Sequence, residues 1–466
     1  MSSAPRPNIL VILSDQLRRQ ALGVHGDPDA RTPHLNQLAA QGVYFQNACA
    51  TSPICVPFRF TFMTGESAHS RKVPGIEWAM SPAERTLADE FNSAGYDTMY
   101  FGKWHLDGGH GRLGTAKQVN LTRVPRSRQG RWKTWCGFEL RNDPFDTWIF
   151  ENDDPEPKKL PGYQTDALFD LGMRHLENRH GTDPFCVVIS VEPPHEPFVA
   201  PEKLQKEWEA RSITLPPNFE VDDPVERERI ILMRKRYAAM VENLDQNVGR
   251  LRSFLAEQNL AENTIVVFLS DHGELGGAHG LENKQWPYEE SVGIPLMVFD
   301  PRNSEQAGTV LPDPTCTEDL FPTLLGLAGL KPKNSLLGTN LAPLVRGEVK
   351  DLAREGVQLE FTVELRPGMP FADEPWRAFR SQRFKYCVKG NNMGARPWQF
   401  FDLQNDPYEI SNLLEDEKWA HEIARHHRLL RDRILETEDH FVLLPAFGEA
   451  GANLWQKKHR TGVTVP

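Results

Sequence analysis

Six short stretches of the chain combine the residue types that move a tetrahedral, negatively charged group: Asp15-Gln16, Cys55-Val56-Pro57-Phe58-Arg59, Lys103 with His105, His195, Asp271-His272, and Lys284. Asp15, Gln16, Asp271 and His272 form two adjacent pairs of oxygen and nitrogen donors, a set suited to a divalent cation. Arg59, Lys103 and Lys284 could bind a tetrahedral oxyanion. His105 and His195 could act as general acid or base, because an unperturbed imidazole titrates near neutrality. Cys55 precedes Pro57 and Arg59 in a segment able to coil into a helix, and proline is well tolerated in a helix's first turn. The thiol would then sit at or just before a helix N-terminus, where free N–H groups and the helix dipole attract anions. Each feature alone has a plainer reading: a buried cysteine, a strand-end turn at Asp15-Gln16, solvated lysines, structural histidines. Together they describe a metal-assisted transfer of a sulfuryl or phosphoryl group.

The elements that must position these groups follow from hydrophobic patterning. Residues 8–13 are a continuous apolar run rich in branched side chains, as in a strand buried on both faces of a parallel sheet. Further strands are predicted at residues 97–101, 185–191, 264–269 and 295–299. Four of these runs lead into Asp15-Gln16, Lys103 and His105, His195, and Asp271-His272. Ligands of open α/β sheets bind beyond the carboxyl ends of the strands, so the four ends are expected to converge on one site. Helices are predicted from Thr32-Pro33 to Gly42, over 86–94, over about 163–179 and over about 226–258. The last carries Tyr237, Met240, Val241, Leu244, Val248, Leu251 and Leu255 as a core-facing stripe. From Gly108 to about Pro161 periodicity fades into Gly, Arg, Trp and Asp-Pro turns, which reads as a long excursion of loops. Beyond about Leu352, short strands at 357–361, 376–379, 384–388 and 399–403 precede a helix at about 418–436. The expected organisation is a catalytic α/β domain over 1–352, a mostly parallel sheet flanked by helices, then a smaller C-terminal α+β domain and tail over 353–466.

Composition narrows the partners. A chain of 466 residues with 39% apolar and 25% charged content is an ordinary soluble globular protein, long enough for two or three domains. Its net charge of −11 offers no global basic field to nucleic acid or anionic lipid, so an anionic substrate needs a local cationic pocket. No apolar run approaches the roughly 20 residues of a membrane helix, and the first residues lack an apolar export signal. The expectation is a cytoplasmic protein without a nucleic-acid or membrane partner. Six scattered cysteines without a C-x-x-C pair argue against a disulfide framework or a structural zinc site.

With these motifs in view, the chain resembles the formylglycine-dependent sulfatases of the alkaline phosphatase superfamily. The resemblance runs from Asn8-Ile9-Leu10 to Phe401-Asp402-Leu403-Gln404-Asn405-Asp406-Pro407-Tyr408-Glu409, which is similar to the family's closing segment. Cys55-Val56-Pro57-Phe58-Arg59, followed by Thr64-Gly65, resembles the C-x-P-x-R sequence whose cysteine is oxidised to formylglycine. The resemblance implies an alkaline-phosphatase-like fold and one divalent metal at Asp15, Gln16, Asp271 and His272. It implies that Cys55, once converted and hydrated to a gem-diol, attacks sulfur or phosphorus, with Arg59 holding the formylglycine and helping the metal. Lys103 and Lys284, the latter in His279-Gly280-Leu281-Glu282-Asn283-Lys284, match oxyanion-binding lysines. His195 with Lys284 would assist the leaving alcohol, and His105 would take a proton from the second hydroxyl as sulfate departs. The implied partners are a small-molecule or saccharide sulfate ester and a formylglycine-generating enzyme.

Three positions depart from the common pattern. Gln16 stands where many sulfatases have a second aspartate, His272 where asparagine is frequent, and Phe58 where a small residue is usual. The Asp-Gln, Asp-His set is also similar to that of phosphonate monoester hydrolases and choline-sulfatase-like members. Calcium is the implied ion and manganese the alternative. Sulfate ester hydrolysis is the expected function. The alternatives are a phosphonate monoester or phosphodiester hydrolase with the same machinery, and a non-catalytic binding relative. Selectivity is expected in residues 78–84 and 108–161, and Trp78, Trp104, Trp132, Trp135 and Trp148 could stack on a ring or simply pack inside. A homo-oligomer is left open.

Overall fold

The computed structural model describes residues 6–109, 119, 121–140, 143–366, 368–391 and 394–443. Ten strands form the larger sheet: β1 (Asn8–Ser14), β2 (Val43–Phe45), β3 (Asp97–Lys103), β4 (Thr134–Phe138), β5 (Trp148–Glu151), β6 (Lys158–Lys159), β7 (Phe185–Ser190), β8 (Thr264–Ser270), β9 (Leu296–Phe299) and β10 (Thr309–Leu311). Their spatial order is β10-β2-β9-β8-β1-β7-β3-β4-β5-β6. The central run from β8 to β4 is parallel, while β9 and β5 join it antiparallel. Register aligns Ser14 with Ser270, Leu13 with Ser190 and Gly102 with Ser190, so the central strands finish level.

Alternation along β1 divides the core into two layers. Ile9, Val11 and Leu13 face the layer that holds Val56, Phe58, Phe60 and Phe62. Leu10 and Ile12 face the other, with Tyr237, Val241, Leu244 and Val248 of the Pro224–Glu257 helix. That helix begins where Asp223 accepts from Glu226 N at 2.8 Å, a side-chain cap on an otherwise orphaned donor. The predicted helices form as Pro33–Gln41, Leu87–Ser93 and Gln164–Glu177, within a few residues of expectation. All ten residues of the Cys55–Thr64 helix are buried. It closes at Gly65, whose left-handed φ of 74° lets its N–H reach Thr61 O at 2.7 Å.

β11 (Gly356–Phe361), β12 (Trp376–Ser381), β13 (Phe384–Asn391) and β14 (Gly394–Asp402) make a separate antiparallel sheet. One face packs Phe384, Tyr386 and Phe400 against Ile423, Leu430 and Ile434 of the Ala420–Glu436 helix. The other packs Leu359, Phe361 and Trp376 with Ile54 and Val292 of the larger body, next to Cys55. The small sheet is therefore a wall of the site's surroundings as well as a unit with its own core.

The excursion expected to be loops carries β4, β5 and β6. Thr134-Trp135-Cys136-Gly137-Phe138 lacks a clean period of two, and its pairing with β3 comes from tertiary packing. Residues 110–118 of that excursion and the tail over 444–466 lie outside the described residues. The six cysteines are buried, unpaired thiols, and no described helix is long and apolar enough to cross a membrane.

Candidate active site

The level strand ends deliver Asp15 after β1, Asp271 after β8, and Lys103 and Ser190 as the last residues of β3 and β7. The chain turns sharply there. Gln16 and His105 hold left-handed φ values of 63° and 55°, which side chains disfavour unless the surroundings fix them. Gln16 N donates to Asp271 Oδ1 at 3.0 Å, and His105 N to Glu139 O at 2.6 Å. At Gly102 an added Cβ would lie 2.0 Å from Ser190 O, so glycine is what lets β3 and β7 close beside the site.

Cys55 is the first residue of its helix, and its Sγ lies 3.2 Å from His272 Nε2 and 3.7 Å from Asp15 Oδ1. One turn on, Arg59 donates to Asp15 Oδ2 and Asp271 Oδ2, both at 3.1 Å, and to Ser190 Oγ at 2.9 Å. Lys103 Nζ donates to Asp15 Oδ2 at 2.6 Å. Lys284 Nζ lies 2.9 Å from His195 Nε2 and also donates to Gln16 Oε1. His105 joins Cys55, Lys103, His195 and Lys284 in lining one cavity of about 210 Å³. All ten residues nominated from sequence thus meet in one place.

Hydrogen bonds decide the imidazole tautomers. His272 Nδ1 lies 3.0 Å from Gly273 O and His195 Nδ1 2.8 Å from Glu196 O, so each Nδ1 carries the proton and each Nε2 a lone pair. The His272 lone pair faces Asp15 Oδ1 at 3.6 Å and Asp271 Oδ1 at 3.5 Å, and that of His195 accepts from Lys284. Both ring nitrogens of His105 are buried without a hydrogen-bond partner among the described residues.

Electrostatics follow from burial and neighbours. Burial, reinforced by Asp15, pushes the Cys55 thiol up to about 11, so it stays protonated at neutral pH. Burial opposes ionisation of Asp15, yet the Lys103 and Arg59 cations outweigh it and hold the carboxyl well below its ordinary range. Burial pulls His105 and His195 well below the usual imidazole value, helped by Lys103 at the first and Lys284 at the second. Both rings are neutral at physiological pH.

Of the two roles open to the five tryptophans, the structure selects packing. Trp104, Trp132 and Trp135 are fully buried and pack with Tyr100 and each other, while Trp78 and Trp148 lie against Phe60 and Lys159. Among the described residues none of the five lines the cavity. Ile76, Glu77, Arg366 and Met369 line it together with Leu140, which comes from the 108–161 excursion. The sequence reading also missed Ser190, which anchors Arg59 and donates to Lys103 O at 3.0 Å, and Glu274, which accepts from the Gln16 amide. Ser190 was visible as the polar end of a buried strand. Arg366 carried no signal, since only the packing of the two sheets brings it here.

The family model described as Sulfatase matches residues 7–330, and that described as N-sulphoglucosamine sulphohydrolase, C-terminal, matches residues 277–436. The chain belongs to the sulfatase family. The Ulvan-active sulfatase of Formosa agariphila is 33% identical to it over 413 residues, covering 88% of this chain and 77% of that relative. A structure solved in complex with its substrate D-glucosamine-2-N,6-O-disulfate matches with a TM-score of 0.81 at 21% identity, covering 93% of this chain and 98% of the other. The phosphonate monoester hydrolase of Agrobacterium radiobacter matches with a TM-score of 0.69 at 21% identity, covering 93% and 95%. At those identities the two structures speak to the shared alkaline-phosphatase-like fold.

As a sulfatase, the chain is a sulfuric ester hydrolase, and its buried donors fit a divalent ion. Ligand atoms of Asp15, Cys55, Asp271 and His272 all lie within 4.8 Å of one another. The Gly273 carbonyl turns the His272 lone pair inward, the kind of outer hydrogen bond that orients a metal-binding imidazole.

Proposed function

We propose that this sulfatase hydrolyses a saccharide sulfate ester through a formylglycine formed from Cys55, with a divalent ion held by Asp15, Gln16, Asp271 and His272. The observation that carries the reading is Cys55 itself. A thiol kept protonated by burial is a poor nucleophile, yet it stands at a helix N-terminus, 3.2 Å from His272, at the floor of the cationic cavity. Conversion to an aldehyde gives that position a chemical use. When bound, the ion would neutralise the sulfate oxyanion and lower the nucleophile's pKa. Calcium suits the carboxylate and amide oxygens, and manganese the imidazole.

The chain's own residues divide the remaining work. Arg59 fixes both carboxylates and, through Ser190 and the Lys103 carbonyl, ties the helix to the strand ends. Lys103 and Lys284 place two ammonium groups on the cavity wall for sulfate oxygens. Lys284, hydrogen-bonded to the neutral His195, would deliver a proton to the departing alcohol. His105, neutral and without a partner at either ring nitrogen, would accept the proton released beside Cys55. A saccharide is supported by the ulvan-active relative and by the polar rim at Glu77 and Arg366.

Mass analysis of the Cys55 peptide, after expression with a formylglycine-generating enzyme, tests the proposal. Loss of sulfur and two hydrogens with gain of one oxygen is expected. Fully active protein retaining the intact thiol would sink it. His272 in the ion site also favours a second reading, a phosphonate monoester or phosphodiester hydrolase on the same machinery. Specificity constants on matched aryl sulfate and aryl phosphonate separate the two. A phosphonate preference of about a hundredfold, roughly 2.7 kcal/mol, would decide for the second.

A further inference from the structure

A second cavity, of about 1000 Å³, lies on the seam between the larger body and the small sheet, and among the described residues it has no lining residue in common with the cavity over Cys55. Its wall carries five arginines, Arg18, Arg19, Arg234, Arg380 and Arg383, against Asp27, Glu289 and Glu290. Three of the five are matched. Arg19 and Arg380 share Glu289, and Arg383 pairs with Asp402 at 2.6 Å.

Arg18 and Arg234 are different, because among the described residues neither has a carboxylate at ion-pair distance. Their Nη1 atoms both lie 3.4 Å from the point where a Cβ on Gly276 would sit, so two like charges meet across one glycine. Arg18 is 6% exposed, and Nε of both residues is buried without an acceptor. What acceptors they have are carbonyls: Glu274 and Leu275 at 3.4 Å for Arg18, Gly276 at 2.9 Å for Arg234. Burial and the neighbouring Arg18 pull Arg234 down to about 9 and outweigh Asp27 and Glu290 on the same wall, the direction expected of juxtaposed, desolvated cations. Paired guanidinium forks match the geometry of a tetrahedral oxyanion, which could take two parallel hydrogen bonds from each.

We propose that Arg18 and Arg234 form a second, non-catalytic oxyanion site that binds a sulfate group, carried on a saccharide or as the free ion. The inference rests on the sulfatase assignment only for the identity of the anion. The cavity is at the large end for ligand pockets and has room for a sugar ring beside the anion.

Calorimetric titration of the full-length protein with inorganic sulfate, and separately with a sulfated monosaccharide, tests it. Two sulfates per chain are expected. Lys103→Ala weakens the site over Cys55, and Arg234→Gln weakens the other by at least about tenfold while kcat/KM on an aryl sulfate stays within about twofold. Binding of the monosaccharide at the Arg234-dependent site at least about tenfold tighter than the free ion would name the saccharide as the ligand, and equal or weaker binding the ion. Selenate soaked into crystals of the unaltered protein gives a reading independent of any variant's folding, with an anomalous peak expected between the two guanidinium groups. Loss of activity in Lys103→Ala alongside intact Arg234-dependent binding leaves the two sites distinct. A single sulfate per chain unaffected by Arg234→Gln, or no selenate peak at the arginine pair, overturns the proposal.

Discussion

His272 points Nε2 at the Sγ of Cys55 from 3.2 Å while Gly273 O holds its proton on Nδ1 at 3.0 Å. The ring is thereby committed to offering a lone pair to the space shared with Asp15 and Asp271. His272→Ala is expected to weaken divalent-ion binding by at least about 10–100-fold, with kcat/KM falling in parallel. Metal content after dialysis, read beside aryl sulfate turnover, checks this. Full occupancy with unchanged turnover would remove His272 from the ion site.

The contact between Lys284 Nζ and His195 Nε2 at 2.9 Å predicts a dependence on the leaving group. His195→Ala should slow an alkyl sulfate by about 10²–10⁴-fold, the usual worth of a positioned proton donor. A nitrophenyl sulfate should suffer far less, because nitrophenolate departs without protonation. Equal losses on the two substrates would mean that the pair only supports the fold.

Arg366 reaches the cavity rim with its guanidinium clamped by Glu364, at 3.0 Å to Oε1 and 2.7 Å to Oε2. Arg366→Ala should raise KM for an acidic saccharide sulfate by about tenfold, with kcat little changed and a small aryl sulfate nearly unaffected. Steady-state kinetics on both substrates tests the split. A fall in kcat alone would move Arg366 from recognition to chemistry.

His69 donates to Glu360 Oε2 at 2.7 Å and, through the other nitrogen, to Thr437 O at 3.1 Å, an arrangement that requires the cation. Burial works against that charge, but Glu360 prevails and raises the ring to about 9 from 6.5. A raised folded-state value means that this contribution is complete below 6.5 and disappears as pH climbs through about 9. His69→Asn should therefore cost about 1.5–3 kcal/mol near the acid end and little above the transition. Urea midpoints of both proteins across that range provide the measurement, and a gap independent of pH would contradict the pairing.

Phe58, unusual for its position in the motif, is fully buried and stacks near Phe62 with ring centres 6.4 Å apart. Phe58→Ala should destabilise the fold by about 3–5 kcal/mol in chemical denaturation. A cost below about 1 kcal/mol would show that the surrounding layer collapses to fill the space.

The site was legible because its chemistry follows strands that read as unbroken apolar runs. Once β1 and β8 are recognised, Asp15 and Asp271 fall at equivalent strand ends, and the parallel pairing brings them together. The Tyr237-to-Leu255 stripe was equally plain, because one face of a long helix has one thing to pack on. What stayed hidden depends on distant packing. The Leu320–Leu327 helix is buried all round and shows no stripe. Trp104 has the same identity whether it stacks on a ligand or on Tyr100, and only the folded chain chooses Tyr100. Gln16 was nominated for its amide oxygen, yet the partners of that amide, Lys284 and Glu274, lie more than half the chain away.

The enclosure of Cys55 has a consequence in time. Cys55 is 2% exposed, in a helix with every residue buried, on the wall of a cavity of about 210 Å³. If Cys55 is oxidised to formylglycine, as proposed above, a second protein that must grip this peptide could do so only before the helix seats against the sheet. Maturation and folding would then be rivals for the same segment. Each molecule that folded first would be stranded with an inert thiol, so the yield of active protein would depend on which of two rates is faster rather than on how stable the finished fold becomes.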